Sequence, residues 1–379
     1  MARNRVIYQS EALYVSEDIR STATGKHVQL DRVQSANYNF SISRQDINQY
    51  GELARIDSVV LDPPTVNIDF SYYLTDGTNE RALGFYVQNA AQTASGNFPS
   101  GHMTATSGKN LFIVTTAEGN DHNSNITIGN TKSVIGIGNA FLSDYTLDVA
   151  VGSLPTVSVT MEGANIVATG VTATTGLGIS GINPAVDPTN GSSYATGSIL
   201  LPSGKSDLGN GGISALRPGD VTLTFGNITG AGSGVIADLA NNADGIHIQS
   251  ASLSVPLSRS PLQRLGTRFP FARTVDFPVN ATLNVSAIVN EVTAENLAAI
   301  LDSNITTELK LTIKKPGSAG ATDAMIYTIK GAKLDSESFS SSIGSNKTVD
   351  LVFSTQIGGP NDTTNGVFVS GIGSGTLFP

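Results

Sequence analysis

The chain has 379 residues, no Cys, no Trp and only 14% charged positions. Without Cys there is no disulfide framework, zinc–cysteine site or cysteine nucleophile. A net charge of −9 argues against a protein that grips nucleic acid through clustered Lys and Arg, though not against a surface that nucleic acid slides past. A hydrophobic fraction of 39%, 40 Gly and no Gly-X-Y period exclude a disordered or collagen-like chain, and the length leads us to expect two or three domains. Apolar runs are only a few residues long, so no membrane insertion is expected. The basic start Met1-Ala-Arg-Asn-Arg has no apolar segment behind it, so no secretory leader is expected.

Read in chain order, the pattern is mainly β. From Val33 to Ser43 the apolar set Ala36, Tyr38, Phe40 and Ile42 alternates with Asn37, Asn39 and Ser41. From Thr65 to Thr75, Val66, Ile68, Phe70, Tyr72 and Leu74 alternate with Asn67, Asp69 and Ser71. Such alternation predicts strands with one buried and one wet face. Arg44 to Pro64 reads as an extended loop, and Gln92 to Asn110, rich in Gly, Ser, Thr and Asn, as an inserted loop. From Ala164 to Gly245 the chain holds 16 Gly in 82 residues, with strand candidates at Gly197–Leu201 and Asp220–Phe225. Thr293 to Leu301 predicts a short helix, with Thr293 as N-cap, Glu295 in the first turn and Leu297, Ile300 and Leu301 as its apolar stripe.

The chain also repeats itself, a signal that outranks any single element. At a shift of 215 residues, the segment from Val33 lies on the segment from Ile248 without a gap; Gln34/Gln249, Ser35/Ser250, Ala36/Ala251, Arg44/Arg259, Gly51/Gly266 and Ser71/Ser286 are identical pairs. The alternation keeps phase: Tyr38, Phe40 and Ile42 fall on Leu253, Val255 and Leu257. At a shift of 192, the segment from Leu142 lies on that from Leu334, with Gly152/Gly344, Thr156/Thr348 and Val157/Val349 identical. We therefore expect two related β-rich domains, 1–163 and 217–379, each with a short flanking helix, joined by a Gly-rich linker or outer decoration over 164–216.

The run HVQLDRVQSANYNFSISRQDINQYGELARIDSVVLDPPTVNIDFSYYL, from His27, resembles the major tail tube proteins of tailed bacteriophages in its paired long strands around an extended loop, followed by a short helix. The resemblance covers both copies and leaves the Gly-rich middle uncovered. It implies tandem β-sandwich or barrel domains of tail-tube type, as in the long-tailed phages that carry two domains per chain. In those, three chains close a pseudo-hexameric ring, and rings stack into a hollow tube. It further implies a place in the virion tail after assembly in the bacterial cytoplasm. The implied partners are further copies of the chain, a tape-measure protein, a tail terminator and a distal tail protein, with double-stranded DNA passing through the bore unbound. About four inner strands per copy give about 24 per ring, hence a circumference of ~115 Å and a diameter of ~45–50 Å once tilted.

On this reading the wet faces line the bore. They are Asn37, Asn39, Ser41, Asn67, Asp69 and Ser71 in the first copy; Ser250, Ser252, Ser254, Asn280, Thr282, Asn284 and Ser286 in the second; and Ser158, Thr160 and Asp350 from later strands. A neutral-to-acidic wall without Lys or Arg would repel phosphate and hold water. The long loops would make ring-to-ring contacts. The first carries Arg44, Asp46, Tyr50, Glu52, Arg55 and Asp57; the second carries Arg259, Arg264, Arg268, Phe269 and Arg273, a complementarity suited to steering.

Enzyme chemistry is not expected. His27, His102, His122 and His247 show no metal-ligand spacing, and Asp121-His122 reads as a solvated loop pair. Pro202-Ser-Gly-Lys-Ser206 ends like a phosphate loop, but Ile199 stands where the first Gly is required. There is no GxSxG elbow, no paired acid–base carboxylates and no cofactor motif. The rival expectations are an adhesin-like or surface-layer sandwich and the inner tube of a contractile injection system.

Overall fold

The computed structural model describes residues 10–17, 19–20, 26–89, 96–116, 122, 131–172, 177–179, 183–194, 199–201, 215–226, 246–289, 306–315, 323–342 and 346–372. The helix expected at Thr293–Leu301 and the Pro202–Ser206 segment lie outside them. The first half contains β1 (Glu11–Ser16), β2 (His27–Gln29), β3 (Val33–Ser41), β4 (Arg44–Ile47), β5 (Asp57–Val60), β6 (Thr65–Tyr73), α1 (Thr78–Leu83), β7 (Val87–Asn89), α2 (Ser100–Met103), β8 (Lys109–Thr115), β9 (Thr131–Ala150), β10 (Thr156–Gly163) and β11 (Asn165–Thr172). A small ribbon of β12 (Leu177–Ile179) and β13 (Ile199–Leu201) follows. The second half contains β14 (Val221–Gly226), β15 (Ile246–Pro256), β16 (Arg259–Leu262), β17 (Ala272–Val275), β18 (Asn280–Val289), β19 (Thr307–Lys314), β20 (Asp323–Ser340), β21 (Thr348–Gln356) and β22 (Gly366–Gly371).

The fold is mainly β, built on one large and almost wholly antiparallel sheet. Its alternating strands bury one face: Val66, Ile68, Phe70 and Tyr72 of β6, Val157, Val159 and Met161 of β10, and Leu283 and Val285 of β18 belong to one continuous core. Two long strands fold this sheet over its own apolar face. The N-terminal part of β9 pairs with β8 and β11, and its C-terminal part with β10 and β15. Likewise β20 pairs first with β19 and β22, then with β21. Each strand turns at a left-handed residue, Asn139 (φ 54°) in β9 and Gly331 (φ 66°) in β20. A strand that bends from one layer to the next is how a single sheet covers its own core.

The two halves pair their strands in matching registers. Ser35 faces Ser71 as Ser250 faces Ser286, each after a one-residue bulge, at Gln34 and at Gln249. Ser158 faces Ser71 as Asp350 faces Ser286. The bulge that sets Met161 on Leu142 recurs where Phe353 meets Leu334. The loops expected at Arg44–Pro64 and Arg259–Pro278 are hairpins, with Arg44 opposite Val60 and Arg259 opposite Val275. Each turns through a glycine with positive φ, Gly51 (93°) and Gly266 (85°), a conformation that favours a residue without Cβ.

Between the halves, β15 pairs antiparallel with the C-terminal part of β9, from Ser250 opposite Ala150 to Pro256 opposite Asp144. The result is a run of eight neighbouring strands, β20-β21-β18-β15-β9-β10-β6-β3, four from each half.

Candidate functional site: the polar face and its two edges

Across the eight strands the outward side chains line up in rows. One row runs Ser35, Ser71, Ser158, Thr146, Ser254, Thr282, Ser354 and Lys333. Another passes through Ala150, Ser250, Ser286, Asp350 and Ser338. All sixteen residues expected to line a bore share this one face. Sequence reading missed the contributions of β9 (Asp144, Thr146, Asp148) and of β20 (Ser336, Ser338, Ser340). Bulges at Ser143 and Asp335 break the period of two there, so simple alternation loses phase. The expectation of a face without cations needs one correction: Lys333 stands beside Ser354 at the edge.

The polar side chains are largely tied to one another. Thr160 donates to Asp69 (2.7 Å), Ser252 to Asp148 (2.6 Å) and Thr146 to Asp144 (3.1 Å), while the Ser35 and Ser71 hydroxyls bond at 2.7 Å. Donors are thus turned toward neighbouring carboxylates rather than outward. Asp69, Asp144, Asp148 and Asp350 set the sign of the field, and burial holds the Asp144 carboxyl above its ordinary value. Such a surface is wetted and repels phosphate.

The joint between halves is tightly held. Leu253, Val255 and Leu257 of the second half are 1%, 0% and 0% exposed, against Leu147 at 0%. Leu257 donates its backbone N–H to Ser143 (2.8 Å). Arg259 reaches the carbonyls of Leu142 (3.3 Å), Arg273 (3.1 Å) and His102 (2.8 Å) and lies over the Phe141 ring. Burial pushes its guanidinium down to about 10. Arg273 pairs with Glu162 at 2.9 Å. Arg259 and Arg273 were expected to contact a neighbouring ring; instead they sit at the base of the β16–β17 hairpin and are spent on the joint.

The matching side chains at the two ends of the sheet are uncovered. Tyr38, Phe40 and Ile42, expected on a buried face, are 41%, 58% and 42% exposed, because β3 is an edge with no strand beyond it among the described residues. Phe339, the counterpart of Leu147, is 44% exposed on the C-terminal part of β20, which pairs on one side only, with β21.

Four antiparallel steps separate β3 from β15, so the two strands run the same way and both hairpins leave the same end of the sheet. At the tip of the first, Tyr50 and Leu53 are fully exposed beside Glu52, and Arg55 pairs with Asp46 (2.9 Å). At the second, Leu265 is fully exposed and Arg264 lies over Phe271. Arg268 and Phe269 are partly committed, since their backbone N–H groups bond Pro188. Asp57 caps its own strand by accepting from Ser58 N–H.

Buried polar groups lie away from this face. Glu80 of α1 accepts from Tyr72 (2.9 Å) and Tyr145 (3.4 Å), and Tyr145 bonds Tyr327 of the second half (3.0 Å). Burial pushes the Glu80 carboxyl up to about 7. His122, expected to be solvated, is buried with Nε2 2.8 Å from the Tyr14 hydroxyl, and burial together with nearby Lys132 pushes it down to about 4. Among the described residues no three His, Asp or Glu groups converge as metal ligands, and no helix is long and apolar enough to cross a membrane. No protein-family model matches the chain, and no curated protein matches it.

Proposed function

We propose that this chain is the structural subunit of a phage tail tube, made of two duplicated tail-tube domains. Three copies close a pseudo-hexameric ring, and rings stack into a conduit for DNA ejection, with no catalytic role and no cofactor. The observation that carries this reading is the eight-strand run whose two ends are open and apolar while its interior joint, built from matching residues, is closed. β3 contains no charged residue along Val33–Ser41, so it lacks the usual protection of an edge against pairing. Full burial of an aromatic or aliphatic side chain contributes about 1.5–3 kcal/mol. Covering Tyr38, Phe40, Ile42 and Phe339 therefore favours a lasting contact.

The polar face then becomes the wall of the bore. Its paired hydroxyls and carboxylates give DNA no row of cations on which to release counterions, so the duplex passes without being held at each ring. The hairpins, projecting from one end of the sheet with Tyr50, Leu53 and Leu265 at their tips, serve as ring-to-ring contacts. The tape-measure protein would occupy the bore before ejection, and terminator and distal proteins would close the ends.

Negative-stain microscopy and native mass measurement of the purified full chain test this. The expected result is hollow stacked rings of three chains. A flat lattice would point to a surface-layer protein, six-chain rings to a different closure, and persistent monomers would remove the proposal.

A further inference from the structure

The internal joint specifies a second joint that the single chain cannot make. Wherever β15 lies on β9, the matching residues of β3 and β20 lie at opposite ends of the sheet. The base of the β16–β17 hairpin seats on Phe141, Leu142 and Glu162 through Arg259 and Arg273. The matching place in the second half is an open groove of about 990 Å³, lined by Phe277, Asn280, Lys333, Asp335, Ser354 and Gln356. Among the described residues nothing fills it, and the hairpin that matches its missing occupant, β4–β5, projects from the other end of the eight-strand run.

We infer that this groove receives the base of the β4–β5 hairpin of a second copy, while β3 of that copy pairs antiparallel with the C-terminal part of β20 in a register dictated by the internal joint: Asn37 opposite Ser340, Tyr38 opposite Phe339 and Asn39 opposite Ser338. This deepens the tube reading and rests on it for the number of copies; the register rests on the joint alone. Ser252 opposite Asp148 becomes Asn37 opposite Ser340, and Leu253 opposite Leu147 becomes Tyr38 opposite Phe339. Leu257 N–H, which bonds Ser143, becomes Ile42 N–H on Asp335. Arg259, on the Leu142 carbonyl, becomes Arg44 on the Leu334 carbonyl, one residue before Asp335.

Charge favours this occupant. Asp335 stands where the internal joint has Ser143, so the incoming Arg44 meets a carboxylate. Lys333 stands where the internal joint has Phe141, and the incoming hairpin and its flank carry Asp46, Asp57 and Asp62 to offset the added cation. The exchange of aromatic and hydroxyl for lysine and aspartate makes the outer joint polar and matched to the first hairpin rather than the second, whose base carries Arg259 and Arg273. Pairing is therefore head to tail, first half to second half, and never β3 with β3. A head-to-tail contact of this kind closes a ring if its rotation allows.

The absence of Cys permits a direct test in the full chain. Asn37→Cys with Ser340→Cys, oxidised at assembling concentration, should give disulfide-linked chains ending in a closed trimer on non-reducing gels; the matching Ser252 and Asp148 side chains touch at 2.6 Å. Asn37→Cys with Ser336→Cys, offset by four residues, should link at least tenfold more slowly. Arg44→Glu and Asp335→Arg should each weaken assembly about tenfold, and the double variant should recover most of it. Faster linking of the offset pair, or dimers of Asn37→Cys alone, would overturn the register. Rings that form with neither pair linking would overturn this interface and leave the tube reading standing. Efficient linking without hollow rings would uphold the interface and remove the tube.

Discussion

Leu253 and Tyr38 hold matching places in strands that run the same way in one sheet, yet one is 1% exposed and the other 41%. Their strands pair inward alike: Leu253 faces Leu283 and Tyr38 faces Ile68. The difference lies on the other side, where β15 meets β9 and β3 meets no strand among the described residues. Burial is thus decided by what lies alongside a strand. Under the proposed function, an edge that keeps its apolar residues uncovered is one kept for a partner.

The comparison is broken most directly at its core. Leu253→Ala should destabilise the isolated chain by about 2–5 kcal/mol in denaturant titrations, because β9 and β18 cannot collapse into the space. Tyr38→Ala should cost the isolated chain less than about 1 kcal/mol while reducing assembly. Equal losses in both would mean that Tyr38 is already covered in the isolated chain and that β3 is not an open edge.

A second test concerns the buried contact between the halves. The folded value of Glu80, about 7, lies above its ordinary 4.5 because of burial, so the protonated form favours the folded state. Its stabilising contribution is complete below pH ~4.5, declines as pH rises toward 7, and levels off beyond, a change of about 2–4 kcal/mol. Glu80→Gln should flatten that part of the pH–stability curve while keeping the Tyr72 contact. A curve of unchanged slope would remove Glu80 as its source.

The smallest effect on stability is expected on the polar face. Asn67→Lys with Ser71→Lys should alter the unfolding free energy by less than about 0.5 kcal/mol, since both positions face outward. DNA ejection from assembled tails should slow, and more so at low salt. Unchanged ejection at every salt concentration would detach this face from the bore.

Much of this was legible along the chain. Strands β3, β6, β15 and β18 follow from strict alternation, and the offsets of 215 and 192 residues recur in the strand registers of the two halves. The hairpins were readable only as loops, because four-residue strands such as Arg44–Ile47 carry too few alternations to register. The role of Arg259 and Arg273 was not legible. A basic residue on a hairpin looks the same in sequence whether its guanidinium meets water or the carbonyls of Leu142, Arg273 and His102. His122 misled for the same reason, its local surroundings being polar and its partner, Tyr14, more than a hundred residues away.

By itself the sequence determined the β character and the sorting of side chains into an apolar and a polar face, because these depend on neighbours one or two residues apart. Only the tertiary structure decided which half's edge is closed and which is open. That depends on β9 finding β15 across a hundred residues of chain, a pairing that backbone hydrogen bonds permit for any strand and that only packing in three dimensions selects.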